Sequence, residues 1–207
     1  MEYLEHRKEV AHFMRRLYEQ KLTTTSGGNV SLRIDNVVLI TASQTDKATI
    51  DESQIGIITI TGKNLPKNLK ISMESKMHLA IYAKRPDVKA IVHAHPIFAT
   101  SFAIAGKEIK TNLAGEARAI LGIPVKAAYV LMGTQELADK VADASLKGNV
   151  ILMENHGILT VGEHLLQAYD RMEVLEATAK TTFITSLLGG GKELTDEELK
   201  SIDKLFE

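Results

Sequence analysis

Apolar residues recur with two different spacings along the chain, and the switches between them divide it into short elements. Leu4, Val10, Phe13, Met14 and Leu17 fall on one face of a helix over residues 1–21. The small polar run Thr23-Thr-Thr-Ser-Gly-Gly-Asn29 cannot continue that helix. Residues 30–34 and 37–41 then read as strands joined by the turn signal Asp35-Asn36, and 55–60 as another strand closed by Thr61-Gly62. Ser72 has the chemistry of an N-cap for a helix over 73–84, which Pro86 breaks. Residues 90–95 form a strand stopped by Pro96. A helix of small residues follows and ends at Gly106, and a shorter one over 116–121 ends at Gly122. The pattern continues with a strand over 125–131, a helix opened by Gly133-Thr134, and strands over 150–153 and 158–161 around the turn Glu154-Asn-His-Gly157. A long helix spans 164–188. Gly189-Gly-Gly191 reads as a flexible joint before a last short helix over 196–206.

Early hairpins and later strands spaced among helices predict a single α/β domain over residues 1–207, layered around a mostly antiparallel sheet. The segment 188–207 is the joint and C-terminal helix of that domain. A chain of 207 residues with 44% hydrophobic and 25% charged residues can bury a full core. Its formal net charge of -1, with both signs mixed along the chain, gives neither a nucleic-acid groove nor a polybasic membrane patch. The charged N-terminus lacks the apolar core of a signal peptide, and no apolar run approaches the roughly 20 residues of a membrane span. A cytoplasmic protein without nucleic-acid or membrane partners is the expectation. With no cysteine in the chain, any metal must be held by nitrogen and oxygen.

Candidate chemistry gathers on histidines. His93 and His95 alternate with Ala94 along one strand and so share a face. Two imidazoles so placed can reach one ion, His156 in its tight turn can supply a third, and Glu74 an oxygen. Each residue alone has a plainer reading: a hydrogen-bonded core histidine, an ordinary turn residue, a carboxylate at a helix N-terminus. His78, four residues after Glu74 on the same helix face, is a rival ligand by spacing. Ser26-Gly-Gly-Asn29 has the glycine and polar content of an anion-binding turn, although it matches neither the P-loop nor the dinucleotide fingerprint.

Taken in order, several segments resemble the class II aldolase/adducin-head family. They are Ser26-Gly-Gly-Asn-Val-Ser31, Thr41-Ala-Ser43, Ser72-Met-Glu74, the run from Arg85 to His95, Gly133-Thr-Gln-Glu-Leu137 and Asn155-His-Gly157. The resemblance covers roughly residues 5–188 and implies a single three-layer α/β/α domain. It implies zinc, one ion per subunit, held by His93, His95 and His156, with other divalent transition metals as alternatives. Glu74 would ligate the ion at rest and act as general base when substrate displaces it. Gly28, Asn29, Ser43 and Ser72 would cradle a substrate phosphate. The family further implies a homotetramer with active sites at subunit interfaces.

The implied activity is a lyase reaction. A ketose 1-phosphate, such as L-fuculose 1-phosphate or a related deoxy-ketose phosphate, is cleaved reversibly to dihydroxyacetone phosphate and a small aldehyde. The family alternatives are a pentulose-5-phosphate 4-epimerase, a methylthioribulose-phosphate dehydratase, a decarboxylase and a non-catalytic adducin-like scaffold. The chain departs from the fuculose enzymes at Gln44, where they have glycine, and at Met73, where they have serine. It also has no tyrosine near Leu113 or Ala114 to protonate the aldehyde oxygen. Glu116 lies close by, as an alternative acid or as a helix-start carboxylate.

Overall fold

The computed structural model describes residues 2–65 and 69–205. The strands are β1 (Asn29–Ile34), β2 (Val37–Thr41), β3 (Ile55–Thr59), β4 (Ala90–Ala94), β5 (Val125–Ala127), β6 (Val150–Met153) and β7 (Gly157–Gly162). The helices are α1 (Leu4–Glu19), α2 (Ser75–Lys84), α3 (Ile97–Ala105), α4 (Gly115–Leu121), α5 (Gln135–Ser145), α6 (Leu165–Leu187) and α7 (Asp196–Asp203). The strands form one sheet in the order β3-β2-β1-β4-β7-β6-β5. It is mixed where a mostly antiparallel sheet was expected: β5 runs parallel to β6 at one edge, and the other described pairings are antiparallel.

Period-two alternation puts apolar side chains on both sheet faces, and a layer of helices covers each. Along β4, Ala90, Val92 and Ala94 enter the core shared with α1, α3, α4 and α6. Ile91 enters the core shared with α2 and α5. All five residues of β4 are buried, and the strand lies in the middle of the sheet. This is the three-layer α/β/α arrangement that the family resemblance implied. Among the described residues no helix is long and apolar enough to cross a membrane.

Several element boundaries differ from expectation. The helix expected from residue 73 begins at Ser75, because Ser72 and Glu74 form a turn first: the Ser72 carbonyl accepts from Ser75 N at 3.1 Å. The strand expected over 125–131 stops at Ala127. Its partner β6 ends at Met153, opposite Ala127, and the next residues have no ladder to join. Tyr129, Leu131 and Met132 are instead exposed. The last helix ends at Asp203, and Phe206 lies outside the described residues. The segment after Gly191 is tied to the body. Leu194 N donates to the Asn112 carbonyl, and Arg118 makes a bidentate pair with Asp203 at 2.6–2.7 Å.

The start of α3 fixes where the chain goes after His95. Its N-cap, Pro96, has no side chain to cap with. The carboxylate of Glu176, buried on α6, accepts from the backbone N–H of Phe98 (3.1 Å) and Ala99 (2.9 Å) instead. A negative group at a helix N-terminus meets both the orphan donors and the positive end of the dipole. Replacing it with alanine strands those donors in a buried place. Glu176→Ala is expected to lower stability by about 2–3 kcal/mol, read as a lower urea midpoint at unchanged m-value.

Candidate metal centre and substrate cavity

β4 delivers His93 to the face shared with α2, in a fully buried position. Its Nδ1–H donates to the Ile158 carbonyl across the β4–β7 ladder at 2.8 Å. That bond selects the tautomer whose Nε2 carries the free lone pair. Nε2 is itself buried without a hydrogen-bond partner, 3.2 Å from Glu74 Oε2 but not aligned with it. His95 lies just past the strand end, where its N–H donates to the Leu22 carbonyl at 3.1 Å. His156 comes from the β6–β7 turn, in which Asn155 takes a left-handed φ of 51°. Its Nε2 is 2.9 Å from Glu74 Oε1, and its buried Nδ1 has no partner.

The three rings converge. Centroid separations are 4.7 Å (His93–His95), 5.0 Å (His93–His156) and 5.9 Å (His95–His156). One nitrogen of each lies within 4.8 Å of the others, a spread that accommodates the roughly 3.3 Å between nitrogens around a tetrahedral zinc ion. Orphaned, buried ring nitrogens facing a carboxylate, with no thiolate in the chain, are the donor set of a hard-to-borderline divalent cation. His78 is not part of this group. Its Nδ1 is 2.7 Å from Ser31 Oγ and its Nε2 2.5 Å from Asn29 Oδ1, so both nitrogens are spent.

Two glycines allow the approach. A Cβ on Gly157 would lie 2.5 Å from His95 Cδ2 and 2.8 Å from the Ala94 carbonyl. Gly28 has a φ of +67°, and a Cβ there would meet the His93 carbonyl at 2.6 Å. Any larger residue at either place would push the strand end and the turns apart.

Electrostatically the cluster asks for a cation. Burial alone would push the Glu74 carboxyl up, yet His93 and His156 hold it far below the usual carboxylate range. Burial pulls His93 down, and the Glu74 carboxylate raises it overall. His95 is lowered to about 3 by burial and by His93 and His156, so its ring is neutral and ready to ligate. Glu74 occupies the N-cap position of α2 but makes no capping bond to that helix. Its carboxylate turns to the imidazoles and accepts from Asn29 Nδ2 at 2.7 Å. The plainer reading of Glu74 as a helix-start carboxylate therefore does not describe it.

A cavity of about 270 Å³ opens beside the cluster, lined by Glu74, His95 and His156. Gly28, Asn29, Ser43 and Ser72 line the same cavity. Gln44 carries the left-handed φ of 58° that a glycine would hold without strain. Lys47, which also lines the cavity, was not legible as a site residue. Within Gln44-Thr-Asp-Lys-Ala48 it has the neighbours of a surface lysine, yet it is 1% exposed. Its Nζ donates to the Ala42 carbonyl (3.1 Å) and Thr45 Oγ1 (2.9 Å), and burial pulls it down to about 8. Glu116 is not brought to this cavity. It stands in the first turn of α4 and lines a separate depression with Lys110, Leu113 and Glu173.

The chain matches the Class II Aldolase and Adducin N-terminal domain over residues 8–183. It is 37% identical over 177 residues to an L-fuculose phosphate aldolase of Methanococcus vannielii, covering 86% of this chain and 95% of that protein. It is 32% identical over 196 residues to a 3-oxo-tetronate 4-phosphate decarboxylase of Haemophilus influenzae, covering 91% of each. Among solved structures, an L-fuculose 1-phosphate aldolase superposes with a TM-score of 0.87 at 32% identity, covering 97% of this chain and 95% of that one. With its three-layer fold and its three-histidine cluster, the chain belongs to the class II aldolase/adducin family and is an enzyme of that metal-dependent family.

Proposed function

We propose that the protein is a zinc-dependent aldolase. It cleaves a ketose 1-phosphate, such as L-fuculose 1-phosphate or a related deoxy-ketose phosphate, to dihydroxyacetone phosphate and a small aldehyde. The observation that carries this reading is the shared cavity: a three-imidazole cluster with one carboxylate opens onto the same space as a ring of backbone turns and hydroxyls. His93, His95 and His156 would hold the ion, and when bound it supplies the Lewis acid that polarises the substrate carbonyl. Glu74 lies against the cluster and is kept ionised, so it can take or return the proton on the carbon next to that carbonyl. Gly28, Asn29, Ser43 and Ser72 would bind the phosphate. The buried ammonium of Lys47, paired with no carboxylate among the described residues, adds the positive charge a dianion needs. Phosphate held there contributes binding energy remote from the reacting bond.

A cytoplasmic homotetramer completes the proposal. Glu116 lines a different depression of the same chain, so its role as the acid for the aldehyde oxygen requires a neighbouring subunit to bring it to the cavity. A second reading is favoured by the Haemophilus influenzae relative, named as a 3-oxo-tetronate 4-phosphate decarboxylase. Loss of carbon dioxide from a 3-oxo acid also leaves electron density next to a carbonyl, and it needs no acid for an aldehyde oxygen. A screen of phosphorylated ketoses with coupled detection of dihydroxyacetone phosphate, beside 3-oxo acid phosphates with detection of carbon dioxide, separates the two.

Purified protein is expected to carry about one zinc per chain, and His93→Ala and His156→Ala to lose most of it, by elemental analysis. His78→Ala should keep its metal. Stoichiometric zinc in both ligand variants would remove the metal assignment. Light scattering at micromolar concentration should give a tetramer, and a fully active monomer would contradict an interfacial site.

Glu74→Gln should keep three imidazole ligands and much of the zinc while turnover falls by about 10²–10⁴-fold, the range for losing a general acid–base. Solvent-deuterium exchange into dihydroxyacetone phosphate, followed by NMR, should fall in parallel. Undiminished exchange in the zinc-loaded variant would take the base role from Glu74. Glu116→Gln should slow cleavage and leave exchange nearly intact.

A further inference from the structure

Glu74, His78 and Tyr82 stand four residues apart at the start of and along α2, and Asn29 and Ser31 stand two apart on the facing side of β1. Four helical residues advance about 6 Å and two strand residues about 6.7 Å, so the two rows stay in step and interleave. Tyr82 Oη is 2.8 Å from Ser31 Oγ, and Ser31 Oγ is 2.7 Å from His78 Nδ1. His78 Nε2 is 2.5 Å from Asn29 Oδ1, and Asn29 Nδ2 is 2.7 Å from Glu74 Oε2. Ser31 and His78 are fully buried, and Asn29 and Tyr82 nearly so.

The direction of this chain is fixed from its Glu74 end. An ionised carboxylate only accepts, so Asn29 must show it the NH2 group and turn its carbonyl oxygen to His78. His78 must then carry its proton on Nε2 and accept the Ser31 hydroxyl proton at Nδ1. The opposite tautomer would donate to Ser31 and accept from Asn29, which would turn the Asn29 oxygen onto Glu74, lone pair against lone pair at 2.7 Å. Buried at this place, His78 is lowered to about 3 and stays neutral, so one of the two tautomers is always chosen.

We propose that His78 is a positioning residue of the active site. Its Nε2–H tautomer, with Nδ1 accepting from Ser31, locks the Asn29 amide so that it holds the Glu74 carboxylate at the metal cluster in the orientation needed to move the substrate proton. The inference rests on the reading of Glu74 as the base and assigns His78 a role outside the ligand set, acting only through Asn29.

Two measurements test it. In wild-type, zinc-loaded protein labelled with nitrogen-15, long-range proton–nitrogen NMR should show His78 as a single Nε2–H tautomer. An Nδ1–H form, or averaging between the two, overturns the proposal whatever the variants do. His78→Leu removes the donor, and His78→Gln keeps an N–H able to reach Asn29 Oδ1. His78→Leu should retain zinc and lower kcat and solvent-deuterium exchange together by about 10–100-fold, the usual effect of losing an outer-shell partner, with KM little changed. His78→Gln should recover most of that loss. Equal losses in both variants, or a change in KM or zinc content with kcat preserved, would reduce His78 to packing. Failure of the base assignment itself registers separately: Glu74→Gln would then keep its exchange, while the wild-type tautomer still reports the direction of the chain.

Discussion

A carboxylate and three imidazoles within contact of one another in a nearly dry place are tolerable only around a positive charge. The surrounding elements are arranged to meet that condition. β4 is buried on both faces, which removes water from behind His93, and the Ile158 carbonyl fixes the ring so that its lone pair faces Glu74. The β6–β7 turn closes onto His95 because Gly157 has no side chain to keep it away. α3 leaves the strand end in a defined direction because Glu176, far along α6, neutralises its N-terminus. The cluster is thus the point toward which the hydrogen bonding of the sheet's centre is directed.

The cavity beside it divides into two chemically distinct halves that share a wall. One half is the imidazole and carboxylate cluster, and the other is made of turns and hydroxyls with the ammonium of Lys47 behind them. Gly28 and Asn29 belong to both. The Gly28 backbone lies against the His93 carbonyl, and one amide N–H of Asn29 is committed to Glu74. A ligand held at the turn-and-hydroxyl half is therefore mechanically connected to the cluster half through two adjacent residues. This suits an enzyme that uses remote binding energy to hold a small substrate in register.

Much of this was legible in the sequence because it depends on short-range periodicity. Strand alternation alone placed His93 and His95 on one face, and the glycine after His156 marked the tight turn. The layered fold followed from the switching of apolar spacing, and the ordered motifs supplied Glu74 and the cavity residues. What failed to show depends on partners distant in sequence. Nothing around Lys47 signals that residues 25 and 42 will enclose it. The spacing of His78 from Glu74 identified a shared helix face but not that Ser31 and Asn29 would consume both its nitrogens. The strand expected over 125–131 lost its last residues because its neighbour ends first, a fact held by β6 and not by the segment itself. Glu116 was close in sequence to the expected acid, and proximity along the chain did not carry it to the cavity.

The matched advance of α2 and β1 also bears on how the sheet avoids assembling incorrectly. β1 is paired on both sides, with Ser31 opposite Ile40 in β2 and Ile91 in β4. Slipping it by one residue would exchange its two faces. Val30 and Leu32 would then confront the polar side of α2, while Asn29 and Ser31 would be buried without partners among the aliphatic residues of α1 and α6. Several unsatisfied groups would result, each costing about 1–3 kcal/mol. Both faces of a wholly apolar strand would tolerate such a slip far better. The polar residues that reach the Glu74 carboxylate therefore also act as a registration mark for the central strands, so that a misaligned sheet is rejected by the same hydrogen bonds that hold that carboxylate in place.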